Sequence, residues 1–227
     1  MKTTRPRQGR PRHTPPSDPN ASGREQILDA AGALFVEHGI AATSTRMIAE
    51  RVGIRQASLY YHFATKDEIL AELLATSVRP SLEMVDRIQA WVPERASAAA
   101  ALYAVAATDV RTLSRTPYNI GTLYLLPEVR ATPFDAFRAD RGRLQQSYGA
   151  LGSLAATEAV TGSMQPDRIG ELLIQLVEVV IQIRRSRDPD AADTDVVASS
   201  CLRLCGLDEP TVAAARDEAH VLLTSLA

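Results

Sequence analysis

From Arg24 onward the apolar residues recur at helical spacing, and no stretch shows the period of two that a half-buried strand requires. Ile27, Ala31, Leu34, Phe35 and His38 make an amphipathic helix that opens on the capping-box sequence Ser22-Gly23-Arg24-Glu25 and ends at Gly39. A short helix from Ser44 to Val52 then meets a tight turn at Gly53, and a second, about Arg55 to His62, follows. Thr65-Lys66-Asp67-Glu68 is another capping box and opens a long helix through Leu70, Leu73, Leu74 and Val78. Pro80 is expected to kink or break that helix near residues 76–80, after which it continues through Met84, Val85 and Ile88 toward Trp91. Beyond Pro93 the pattern predicts helices at 95–115, 119–126, 133–161, 166–187, 191–206 and 209–226, good to about three residues at each end. Thr132-Pro133 reads as a cap with proline at the first helical position. Gly142, Gly149 and Gly152 leave helix 133–161 open to a break near Gly149. Residues 1–22 carry Pro, Arg, Thr and Ser and almost nothing apolar, so a disordered arm is expected there. The pattern gives an all-α chain: an arm at 1–22, a three-helix unit at 23–75 and a larger helical unit at 76–227.

Two short helices joined by a turn containing glycine form a helix-turn-helix, whose second helix can lie in the DNA major groove. Gln56, Ala57 and Ser58 open that second helix, where such helices meet base edges; Gln56 suits adenine, and Ala57 suits a thymine methyl. One domain of this size makes few contacts. Helix-turn-helix proteins answer this by dimerising, with two recognition helices about 34–36 Å apart on a palindrome.

Composition modifies this picture only in places. The 227 residues are 45% hydrophobic, enough for a real core, and the net charge is −2. Its distribution is uneven: +4 over residues 1–23, −2 over 24–75 and −4 from 76 onward. The helix-turn-helix is therefore not basic on average, and phosphate contacts must come from a few placed groups plus the arm. In that arm Gln8-Gly9-Arg10-Pro11-Arg12 resembles the Gly-Arg-Pro core of AT-hook peptides, in which Arg10 and Arg12 would lie along a narrow minor groove; a solvated leader is the alternative. Two cysteines are too few for a disulfide framework and point to a reducing cytoplasm. No apolar run approaches the ~20 residues that span a bilayer, and the N-terminus has no apolar signal-peptide core, so no membrane association is expected.

The pairs Ile48-Ala49 and Gly53-Ile54, the element Leu59-Tyr60-Tyr61-His62-Phe63 and the run Lys66-Asp67-Glu68-Ile69-Leu70 together resemble the DNA-binding domain of TetR-family repressors. The likeness spans about residues 24–75. It implies that Arg46, near the start of the second helix, lies close to the groove and pairs with guanine, and that Thr45, Tyr60, Tyr61, His62 and Lys66 face phosphates. Thr65 and the amides at the start of the Lys66 helix would add a dipole-assisted contact. Leu59 and Phe63 are expected in the core. Arg51 and Arg55 read equally as contacts or as solvated charges.

Helix 166–187 is apolar over far more than one stripe: Ile169, Leu172, Leu173, Leu176, Val177, Val179, Val180 and Ile183 leave Glu171, Gln175, Glu178 and Gln182 as its polar strip. Such a helix needs neighbours on two sides. It is either the central helix of a monomer or half of a dimer face. The resemblance favours the second, with a four-helix interface from Leu172, Leu173, Leu176, Val177, Val180, Ile183 and Leu202, supported by Cys201, Leu204, Leu222, Leu223 and Leu226.

The resemblance also implies a sensing segment over about 80–165, where a small molecule binds and changes the tilt of the helix at 66–90. Candidates are Met84, Trp91, Tyr103, Leu123, Tyr124, Phe134, Phe137 and Tyr148, with Asp109, Arg111, Asn119, Arg138 and Gln145 as polar partners, so an apolar or aromatic effector is expected. Aromatics at helical spacing equally read as plain core.

Cys201 and Cys205 could form a redox pair or half a metal site, or serve as small buried hydrophobes. His13, His38 and His220 stand apart from acidic and cysteine clusters, so no metal or other cofactor is expected. No nucleophile elbow, P-loop or GxGxxG occurs, and no enzymatic activity is expected. Three readings follow: a ligand-responsive homodimeric repressor; a helix-turn-helix protein of the same fold answering to a protein partner or to no ligand; and a helical enzyme or binding protein carrying the DNA module as a relic.

Overall fold

The computed structural model describes residues 21–91, 97–115 and 118–226, and within them every regular element is helical. The expectations for Arg10, Arg12 and the arm, and for the side chain of Trp91, lie outside the described residues. The chain divides into two compact units, residues 1–70 and 71–227.

The first unit holds α1 (Gly23–His38), α2 (Thr45–Val52), α3 (Gln56–His62) and the first turn of α4 (Lys66–Thr76). Its apolar stripes close on one another: Ile27, Ala31 and Phe35 of α1, Ile48 of α2, Leu59 of α3 and Ile69 and Leu70 of α4 have essentially no solvent contact. Both halves of the Ser22–Glu25 capping box are present, and Gly39 follows α1 at φ 86°. The second capping box is only half formed. Thr65 Oγ1 accepts from Glu68 N at 3.1 Å, but the Glu68 carboxylate accepts from Ala64 N at 2.8 Å, one residue before the expected cap amide.

The second unit comprises the rest of α4, α5 (Arg79–Trp91), α6 (Ala98–Arg115), α7 (Asp135–Ala155), α8 (Glu158–Thr161), α9 (Pro166–Ser186), α10 (Ala191–Leu204) and α11 (Glu209–Ser225). Three 3₁₀ turns, Ile120–Leu123, Pro127–Arg130 and Thr132–Phe134, connect α6 to α7. Pro80 ends continuity between α4 and α5 as expected: the ladder stops at Thr76, and Ser77 and Val78 form a turn. Helix α6 is the central element and packs against α5, α7, α9, α10 and α11. Its run Ala98-Ala99-Ala100-Ala101, continued by Ala104, Ala106 and Ala107, presents little side chain and lets so many neighbours approach.

Three expectations for the middle of the chain are corrected, the first being the helix expected at 119–126, which is a 3₁₀ turn over Ile120–Leu123. The Thr132-Pro133 cap instead heads a 3₁₀ turn, and α7 begins at Asp135. No break falls near Gly149; α7 runs on to Ala155 and a separate short helix begins at Glu158. Gly149 serves close packing. A Cβ there would stand 2.6 Å from Pro166 O, and one on Gly170 would collide with Gln145 O and stand 2.9 Å from Gly149 N. Helices α7 and α9 thus cross with backbone against backbone, a contact only glycine allows.

Candidate nucleic-acid interface

The turn between α2 and α3 is built by hydrogen bonds that end one helix and aim the next. Ser44 Oγ accepts from Met47 N and caps α2. After Val52, Gly53 adopts φ 77°, ψ 28°, its N–H donates to Glu50 O, and Ile54 N donates to Ala49 O at 3.0 Å. This is a Schellman termination, which needs a residue in the left-handed region; Gly53 meets that need without a Cβ penalty. Leu59 and Phe63 are buried, as expected, and fix the inward face of α3.

The outward face is then determined. Gln56, Ala57, Ser58, Tyr60, Tyr61 and His62 are all exposed, Tyr61 at 87%. Three of the expected contact residues are brought together across the turn. Gln56 Nε2 donates to Thr45 Oγ1 at 3.0 Å and to Tyr60 Oη at 3.4 Å, and Thr45 Oγ1 and Tyr60 Oη lie 3.1 Å apart. These bonds hold the Gln56 amide in one orientation before any base is met. His62 lies edge-on to Tyr61 with ring centroids 5.4 Å apart.

Arg46 is exposed on α2, but its Nε donates to Glu50 Oε1 at 2.8 Å. An acid four residues after an arginine is legible in sequence as a helix-surface ion pair. Arg51 pairs with Glu37 at 3.5 Å, and Arg55 occupies the position before α3 without capping it. Lys66 requires a correction. Its Nζ donates to Ile40 O at 2.7 Å and Thr43 O at 2.9 Å, so the ammonium points into the loop between α1 and α2 and not outward toward a phosphate.

The residues expected to form one ligand pocket are distributed over several contacts. Asp109 and Tyr148 are core groups: Asp109 accepts from Ser81 Oγ and from Tyr148 Oη, each at 3.0 Å. Burial pushes the Asp109 carboxyl up to about 7, with the Ser81 and Tyr148 hydrogen bonds opposing. Leu123, Phe134 and Phe137 are buried, Tyr124 packs on Phe137 and donates to Ser77 Oγ at 2.6 Å, and Tyr103 donates to Asp195. Arg138 donates to Val129 O and Ala131 O and so holds the 3₁₀ turns in place. Asn119 donates to Ile181 O. Among the described residues of the set, Met84 and Arg111 line an open cleft of ≈ 630 Å³ with residues of α4, α5, α6 and α11, Tyr103 and Arg111 line a second cleft and Tyr124 a third.

The expected dimer set also divides. Leu173, Val177, Val180 and Leu202 are buried within the protomer, whereas Leu172 and Val179 are 38% and 39% exposed and Leu176 and Ile183 half-buried on the outer side of α9. Val196 of α10 is 60% exposed. Helix α9 therefore satisfies both demands, with one face in the core and a second, narrower apolar face outward. Cys201 and Cys205 are fully buried free thiols, Cys205 just beyond the end of α10, and burial raises both, Cys205 to about 11. Among the described residues no group of three or more His, Cys, Asp or Glu is placed to hold a metal, and no helix is long and apolar enough to cross a membrane.

A helix-turn-helix unit followed by a helical unit with an outward apolar face defines a two-part, all-α regulatory protein. Residues 27–73 match the family model of bacterial regulatory proteins, tetR family. The chain is 39% identical to the Mycobacterium smegmatis AmtR crystal structure, covering 91% of this chain and 97% of that one, with a TM-score of 0.78. The chain belongs to the TetR family. The repressor KstR2 of Mycobacterium tuberculosis is 49% identical over 53 residues, 23% of this chain and 26% of that protein, so the chain spans about a quarter of the curated relatives it matches. The AibR structure, in complex with isovaleryl coenzyme A and operator DNA, has a TM-score of 0.61 at 17% identity over 79% of this chain and 95% of that one, a likeness of fold alone.

Proposed function

We propose that this chain is a sequence-specific DNA-binding transcriptional repressor that acts as a homodimer on a palindromic operator and is released by a small molecule. The observation that carries the reading is the exposed face of α3, with the Gln56 amide oriented by Thr45 and Tyr60 beside an exposed arginine on α2. Gln56, Ala57, Ser58 and Arg46 read bases. Thr45, Tyr60, Tyr61 and His62 position the unit on phosphates. Lys66 contributes by holding the loop that sets α2. The outer face of α9, Leu172, Leu176, Val179 and Ile183, with Val196 of α10, is the surface for a second copy, which supplies the second recognition helix. Residues of α4 belong to both units, so an effector bound in the second unit acts on the first through α4.

The test compares Arg46→Ala and Gln56→Ala on a selected operator and on random duplex. Each lowers operator affinity about tenfold or more while changing random-duplex affinity little. Equal losses on both duplexes would remove the base-reading role.

A further inference from the structure

Among the described residues, the cleft between α5, α6 and α11 is lined by arginines and by no Asp or Glu. The arginines are Arg87, Arg111 and Arg115, and Arg111 also lines the neighbouring cleft that holds Asp195 and Asp217. Three other clefts of this unit differ. In one, Asp195 and Asp217 accompany Arg111 and Arg216; in the second Asp86 faces Arg143; in the third Glu178 accompanies Arg185. Among the described residues Arg111 and Arg115 have no ion-pair partner, and Arg87 spends one N–H on Leu226 O at 2.7 Å. The rest of the wall is apolar: Pro80, Met84, Leu223 and Leu226. Thr76, Thr108 and Thr112 also line it, and the Thr76 and Thr112 hydroxyls donate to Leu73 O and Thr108 O of their own helices, so the arginines are the charged groups of the wall. Like charges along one apolar wall repel one another unless an anion joins them, and the planar guanidinium fork fits carboxylate and phosphate oxygens.

We propose that this cleft binds a small amphiphile with one anionic head, a carboxylate or a phosphate monoester. The head sits between Arg87, Arg111 and Arg115, and the chain lies along Pro80, Met84, Leu223 and Leu226. The volume of ≈ 630 Å³ falls in the range of small-molecule sites. The inference rests on the effector reading above only for its consequence, release of DNA; the binding itself stands apart from it.

The test is calorimetric titration of the full chain, without DNA, with octanoate, octyl phosphate and uncharged 1-octanol. At least one anion binds saturably and about tenfold or more tighter than the alcohol. Which of the two binds identifies the head. In the double variant Arg111→Gln, Arg115→Gln that preference falls about tenfold, while Arg185→Gln, in a different cleft, leaves it unchanged. Arg115→Gln alone, an exposed site, provides the same comparison should the double variant melt early. The proposal is overturned if neither anion binds more tightly than the alcohol, or if the arginine variants bind like the parent. Anion binding that leaves DNA affinity unaltered upholds the site and removes its effector role; absent anion binding leaves the DNA-binding reading standing.

Discussion

The ammonium of Lys66 donates to Ile40 O and Thr43 O, closing the loop that leads into α2. The family resemblance placed this lysine against phosphate, and nothing in the surrounding sequence distinguishes the two uses, because the carbonyls it meets lie 23 and 26 residues earlier. Lys66→Ala is therefore expected to lower stability by about 1–3 kcal/mol in urea unfolding, since two part-buried carbonyls lose a charged donor. A variant as stable as the parent would return Lys66 to a contact role. Asp109 gives a second prediction at this scale. Its carboxyl is raised by burial, then lowered in part by Ser81 and Tyr148, raised by Glu178 and lowered by Arg141. A raised carboxyl means that the folded chain holds this proton where the unfolded chain has released it. The stability it contributes is present below the unfolded pKa near 4 and is lost as pH rises toward about 7. Asp109→Asn is expected to flatten the fall in melting temperature between about pH 4 and pH 7; an unchanged slope would show that Asp109 ionises freely.

Among the elements, the long helices and their order were legible from apolar spacing, though not the 3₁₀ turns at 120–134 or the separate α8, and so were Ser22, Gly39 and Pro80 as punctuation, because these signals are local. What sequence could not resolve was the meaning of glycines inside helices. Gly149 looks like a break until its partner is known, and that partner, Gly170, is 21 residues away on another helix. Gly170→Ala is expected to destabilise the chain by about 1–3 kcal/mol by pushing α7 and α9 apart. A melt unchanged from the parent would mean that the two backbones are not held so close. Separation along the chain also hid the Thr45–Gln56–Tyr60 cluster: each residue was a reasonable DNA contact alone, but the bonding of Thr45 to the other two depends on the Gly53 turn.

For the whole molecule, an apolar helix 166–187 with two sides to bury was visible in the sequence, but which residues faced which side was not. The buried face takes Leu173, Val177 and Val180, leaving Leu172 and Val179 on the outside. Val179→Asp should therefore give a folded protein that runs as a monomer in light scattering, whereas Val177→Asp should not fold. A well-folded dimer carrying Val179→Asp would relocate the interface. The monomer is expected to lose sequence-specific binding as well, since each protomer contributes one recognition helix. The central claim, that two copies read DNA by sequence, is met most directly by selection of random duplexes with the full chain, followed by fluorescence anisotropy on the enriched site across a range of salt. The account predicts an enriched inverted repeat, half-sites about 10 base pairs or a multiple apart, and an affinity roughly 10³-fold or more above random DNA. No enriched sequence, with equal and steeply salt-dependent binding to every duplex, would contradict it.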